Sequence, residues 1–174
     1  MIFYIADTHF GDERIMKLAR RPYNSVEQMN NDIINKWNKV VSYEDTVYII
    51  GDFAFDKESA KLVNKLNGKK HLILGNHDKY IDGEMAKGFL SVNQILTIED
   101  EGRSVCLCHY PLMSYENSIY GGFHIFGHIH NNENDIAYTL QRQIKNIFNA
   151  SSDMIGFAPK TLNQLIEMKR NFLI

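Results

Sequence analysis

The sequence predicts an α/β fold of two mixed β-sheets packed face to face as a sandwich and flanked by α-helices. Two observations carry this. The first half alternates short apolar runs with helical periodicity in a β-α-β-α-β order. That order calls for strands linked by crossing helices. From residue 90 onward, strand-like runs follow one another with few helical signals between them, which calls for a second sheet.

The elements are justified in turn. Residues 2–6 are a short run of Ile and aromatics and read as a buried strand. Over 25–41, Val26, Met29, Ile33, Ile34, Trp37 and Val40 recur at helical spacing behind a Ser25/Gln28 capping box. Residues 46–50 form a second buried strand, 58–66 a short helix closed by Asn67-Gly68, and 71–74 a third strand. Residues 90–98, 104–108, 124–126 and 144–148 read as further strands. Residues 161–170 form a last helix with Thr161 and Gln164 as its capping box. Segments 110–122 and 131–143 are polar, with no clear periodicity, and loops of that length are often functional. No repeat, low-complexity tract or linker interrupts the chain, so residues 1–174 are expected to form one domain.

The composition excludes several function classes. Hydrophobic residues are 44% and charged residues 23%, as in an ordinary globular protein. A net charge of −2 and the lack of a basic stripe argue against a broad nonspecific grip on nucleic acid, with a nucleic-acid partner at a local basic cleft left open. Lys69-Lys70 reads as a solvated turn. No run approaches the ~20 apolar residues of a membrane span, and the amino-terminal run ends in an acid, unlike a signal peptide. Cys106 and Cys108 lie two apart in an apolar run. They are expected on one face of a strand as packed thiols, in keeping with a cytoplasmic protein. A Cys-x-Cys metal pair is the weaker alternative.

The chemistry is concentrated at strand ends. Five motifs follow or end predicted strands: Asp7-Thr8-His9, Gly51-Asp52, Gly75-Asn76-His77-Asp78, His109 and Gly127-His128-Ile129-His130. Five of the seven histidines fall inside them, which scattering would not favour. Singly, each has an ordinary reading as a core histidine or a turn glycine; the set in this order is specific. Alternation along an extended segment puts Asp7 and His9 on one side, within reach of one cation, and His128 and His130 repeat the pattern. Mixed oxygen and imidazole donors suit Mn²⁺, Fe or Zn²⁺ better than Ca²⁺ or Mg²⁺. The donors are too many for one ion, and Asp52 is the natural carboxylate to bridge two. His77 titrates near neutrality and can protonate a leaving oxygen, with Asp78 as a group to orient its ring. Arg21 reads equally as a bidentate phosphate ligand or as a surface cation beside a turn.

These five motifs resemble the calcineurin-like metallophosphoesterase superfamily, in its usual order. Arg21-Pro-Tyr, Met29-Asn30, Trp37-Asn38 and Asn149…Asp153…Ala158-Pro159 further resemble a subgroup of small bacterial and phage proteins within it. The resemblance implies a sandwich flanked by helices and a dinuclear metal centre. It implies that Asp7, His9 and His130 hold one ion, that Asp52 bridges, and that Asn76, His109 and His128 hold the other, with His77 near the leaving group. The arginine that would grip a phosphoprotein after Gly-Asp is absent, since Gly51-Asp52 continues as Phe53-Ala54-Phe55. The expected function is a phosphoesterase with two divalent transition-metal ions, Mn²⁺ foremost, acting on phosphodiesters or small phosphorylated metabolites such as nucleotides. A phosphomonoesterase is the alternative within enzymes, and a non-catalytic scaffold for a partner protein the alternative outside them.

Overall fold

The computed structural model describes residues 1–172. One sheet is wholly parallel, in the order β1 (Ile2–Ile5), β2 (Thr46–Ile50), β3 (Lys69–Ile73), β4 (Ser91–Asn93). The second runs β5 (Ile95–Asp100), β6 (Arg103–Cys108), β7 (Phe123–Phe126), β8 (Ile147–Asn149), and only its β5–β6 pair is antiparallel. Of the two sheets expected to be mixed, therefore, one is. The reason lies in the connections: every link in the first half is a crossover, whereas Glu101-Gly102, at φ 52° and 75°, closes a two-residue hairpin between β5 and β6. The expected strand over 90–98 is two strands in different sheets. The break falls at Gln94, where only the polar pair Asn93-Gln94 interrupts the apolar run.

Helices α1 (Glu13–Leu18), α2 (Val26–Val40), α3 (Lys57–Ala60), α4 (Ile136–Gln143) and α5 (Leu162–Phe172) complete the chain. In α2 the Ser25 hydroxyl accepts from the Gln28 amide at 3.1 Å, and Met29, Ile33 and Trp37 are fully buried at four-residue spacing. The Trp37 indole donates to Asn67 O at 2.9 Å, so its polar edge is satisfied while the ring fills the core. The expected helix over 58–66 tightens after α3 into a 3₁₀ stretch, Lys61–Lys65. Helices α1 and α4 were not legible as helices, because they bury one residue, Ile15, and none, respectively. Each is started instead by an aspartate cap, Asp12 and Asp135.

The principal core joins both sheets, with Ile5, Ile49 and Leu72 from one and Val105, Leu107, Ile125 and Phe148 from the other. The half-buried Lys169 of α5 donates to the carbonyls of Gln141, Ile144 and Ile147, tying α5 to the end of α4. Among the described residues, no helix is long and apolar enough to cross a membrane.

Candidate metal centre

All five motifs lie at the carboxyl ends of their strands, on one edge of the sandwich. The way they converge differs from the expected alternation. Asp7 (φ 53°), His9 (φ 49°), Asp52 (φ 53°), His128 (φ 71°) and His130 (φ 51°) are all left-handed, so the chain turns at each ligand instead of running straight. A non-glycine residue in that region is strained by about 1 kcal/mol, and such strain gathers at functional sites. Surrounding hydrogen bonds hold it: Asp7 N–H donates to Gly51 O at 2.9 Å, His9 N–H to Asp52 O at 3.0 Å, and the Thr8 hydroxyl to Phe53 O at 2.7 Å.

The side chains meet closely. One oxygen of Asp52, Oδ2, lies 3.6 Å from His9 Nε2 and 3.4 Å from His109 Nε2. Its other oxygen accepts the His77 N–H at 2.8 Å. Asp7 Oδ1 lies 4.0 Å from His9 Nε2 and 3.8 Å from His130 Nε2. Asp7 Oδ2 accepts from the Ser151 hydroxyl at 2.7 Å and the His128 N–H at 3.0 Å. Asn76 Oδ1 lies 3.1 Å from His109 Nε2 and 3.0 Å from His128 Nδ1. Two groups could each hold an ion, Asp7/His9/His130 and Asp7/Asp52/His109.

These residues fit metal ions. Both ring nitrogens of His9 are buried without a hydrogen-bond partner, an arrangement that polar groups avoid unless something else fills the role. His109 Nδ1 faces Ile50 O at 3.0 Å and His130 Nδ1 faces Asp153 at 3.0 Å, leaving each Nε2 lone pair aimed at the carboxylates. Three glycines give the ligands room: a Cβ at Gly75, Gly51 or Gly127 would collide with Asp52, His109 or Asp7. For Gly75 and Gly127 that clearance, not a positive φ, is what requires glycine.

The buried acids favour protons on two of the rings beside them. Burial opposes charge on His109, but Asp52 and Asp7 outweigh it and push the ring up to about 9. Burial likewise disfavours the Asp52 carboxylate, yet the His109 ring holds it down at about 2. His130 is raised, burial being outweighed by Asp153 and Asp7, whereas burial and the neighbouring His109 lower His128. Metal binding would displace these protons.

Two residues are placed otherwise than expected. Asp78 makes no hydrogen bond to the His77 ring among the described residues. Its buried carboxylate accepts the backbone N–H groups of Gly75 (2.7 Å), Asp52 (2.8 Å) and Phe53 (2.8 Å), fastening two ligand loops together. Asp78→Ala is therefore expected to cost about 3 kcal/mol, because three backbone donors, two of them buried, lose their acceptor. An unchanged urea midpoint would contradict that. Arg21 is neither a phosphate ligand nor a surface cation. It is buried, and it donates to Asp7 O (2.6 Å), Thr8 O (3.0 Å), the Ser152 hydroxyl (3.2 Å) and Asp153 (3.3 Å), bracing the strained turn from beneath. Sequence reasoning missed Ser151, Ser152 and Asp153 as parts of this brace. A polar run directly after an apolar strand was the available signal, the same one that marked the other motifs.

Cys106 and Cys108 are free, buried and outside both ligand groups. Their double replacement by alanine is expected to cost about 1 kcal/mol per site while leaving bound metal unchanged. Elemental analysis of the folded variant checks this, and lost metal would make them ligands.

Above the centre opens a cleft of about 950 Å³, with α1 along one wall and residues 131–135 along the other. The exposed His77 ring lies at its edge, its centroid 5.5 Å from that of His9. Tyr110 packs its ring against His128, centroids 4.7 Å apart.

No family model matches the chain. It is 36% identical over 171 residues to an uncharacterized protein of Methanocaldococcus jannaschii, covering 96% of this chain and 90% of that one. It is 32% identical over 81 residues to the Gene 66 protein of Mycobacterium phage L5, covering 44% and 39%. A crystal structure of a protein of unknown function from Aquifex aeolicus superimposes with a TM-score of 0.75 at 26% identity, covering 97% of this chain and 98% of that one. The kinship with the Methanocaldococcus protein runs the length of the chain, and the ligand motifs fall in the superfamily's order at the strand ends of this sandwich. The chain thus belongs to one family with that protein.

Proposed function

We propose that the protein is a dinuclear-metal-dependent phosphoesterase acting on phosphodiesters or small phosphorylated metabolites, nucleotides among them. One observation carries the reading: a single buried oxygen of Asp52 faces His9 on one side and His109 on the other, as a bridge between two ions would require. In this reading Asp7, His9 and His130 hold one ion and Asn76, His109 and His128 the other. The mixed oxygen and nitrogen donors favour Mn²⁺, with Fe or Zn²⁺ as alternatives. When bound, such a pair supplies a nucleophile at neutral pH and neutralises charge on the phosphoryl oxygens.

The chain's own residues do the rest. Asp52 and Asp7 set the negative charge that retains the ions. Asp78 and Arg21 keep the ligand loops from relaxing. His77, at the cleft edge and outside the ligand groups, donates a proton to the departing oxygen. That His77 and every expected ligand are present favours an enzyme over a scaffold. The unpaired thiols accord with a cytoplasmic setting.

The test is turnover of an activated aryl phosphodiester, with the matching monoester beside it. Exhaustive chelation is expected to abolish activity and added Mn²⁺ to restore it. Activity that survives complete metal removal would overturn the reading. Faster turnover of the monoester would make the protein a phosphomonoesterase.

A further inference from the structure

The ionisable side chains that line the cleft beyond the metal ligands nearly all have a hydrogen-bond partner. Arg14 donates through Nε and Nη2 to both carboxylate oxygens of Asp12, at 3.0 and 3.1 Å. Asp135 caps α4 by accepting from Ala137 N–H at 2.8 Å, and Glu133 accepts from the Tyr138 hydroxyl at 3.3 Å. Arg20 is the exception. This exposed residue lines the cleft, and its side chain makes no hydrogen bond or ion pair among the described residues.

Its backbone makes the exception more pointed. Arg20 stands just past the end of α1 at φ 51°. The N–H of Arg20 donates to Lys17 O at 3.3 Å, and that of Arg21 to Met16 O at 2.8 Å. This is the closure in which a left-handed glycine ordinarily ends a helix. An arginine there is strained, and the six-residue helix already carries Lys17 in its last turn for its dipole. The Asn131 side chain donates to Ala19 O at 2.9 Å, which fixes the corner that carries Arg20 against the opposite wall.

We propose that Arg20 is a specificity-determining residue that binds a second phosphate of the substrate, so that preferred substrates carry a further phosphoryl group beside the scissile one. The inference rests on the phosphoesterase reading. A guanidinium fork matches a phosphate bidentately, and the cleft extends well beyond the ligands that would hold the scissile group.

The test is calorimetric titration of the Mn²⁺-loaded protein with α,ω-alkanediol bisphosphates of increasing chain length. Each is compared with the alkyl monophosphate of the same length. One bisphosphate is expected to bind about tenfold more tightly than its monophosphate or better. Arg20→Gly is expected to erase that advantage while raising the melting temperature by about 2–4 °C, through relief of the strained backbone. Arg20→Lys is expected to keep part of the advantage. The inference is overturned if no length shows an advantage, if the advantage persists in Arg20→Gly, or if that variant melts lower. If neither phosphate type binds the wild-type protein, the phosphoesterase reading falls with it.

Discussion

Replacement of Asp52 by asparagine is expected to empty both metal positions and to lower turnover by about 10³-fold or more. Asparagine keeps the shape and can still accept the His77 N–H, so the loop that Asp52 anchors survives. It removes the charge. In the bridging role one carboxylate serves two ions, and its loss falls on both. His9→Ala is the contrast: His9 Nε2 lies between Asp7 and Asp52 on one side of the centre, and its loss is expected to weaken mainly one ion. Elemental analysis beside circular dichroism separates the cases. An Asp52→Asn protein that keeps its fold and two ions per chain would refute the bridge.

The second large effect belongs to His77, and it depends on the substrate. Its ring is exposed at the cleft edge and belongs to neither ligand group, so His77→Ala is expected to retain metal. A nitrophenolate leaves readily without a proton; an alkoxide does not. General acid catalysis is typically worth about 10²–10⁴-fold. Turnover of alkyl or nucleoside esters is therefore expected to fall by that factor, and turnover of nitrophenyl esters far less. Equal losses on both would assign His77 to stabilising phosphoryl charge. Lost metal would make it a ligand.

The sequence was most legible where burial and chemistry coincide. Asp7, Asp52, His109 and the His128/His130 pair follow apolar runs, so their place at strand ends could be read from hydropathy alone. What could not be read was the backbone at those residues. No residue type announces a left-handed aspartate or histidine; only the packed neighbours impose it. Arg21 and Asp78 show the same limit. A charged residue beside a turn looks solvent-facing until the long-range partners of its hydrogen bonds are known, and for Arg21 these include Ser152 and Asp153, far along the chain. Helices α1 and α4 escaped for other reasons: α1 has only six residues, and α4 is amphipathic but has no buried residue to mark its apolar side.

The buttress of the first ligand has a consequence for synthesis. Asp7 is made well before its support: its turn is closed by the hydroxyls of Ser151 and Ser152 and by an arginine tied to Asp153. On a ribosome adding about 5–20 residues per second, the earliest ligand waits several seconds or more for its support. The site is thus withheld from a growing or truncated chain. A fragment ending before Ser151 would expose metal-seeking groups without the geometry to use them, so a competent metal site arrives only once residues 151–153 have been made.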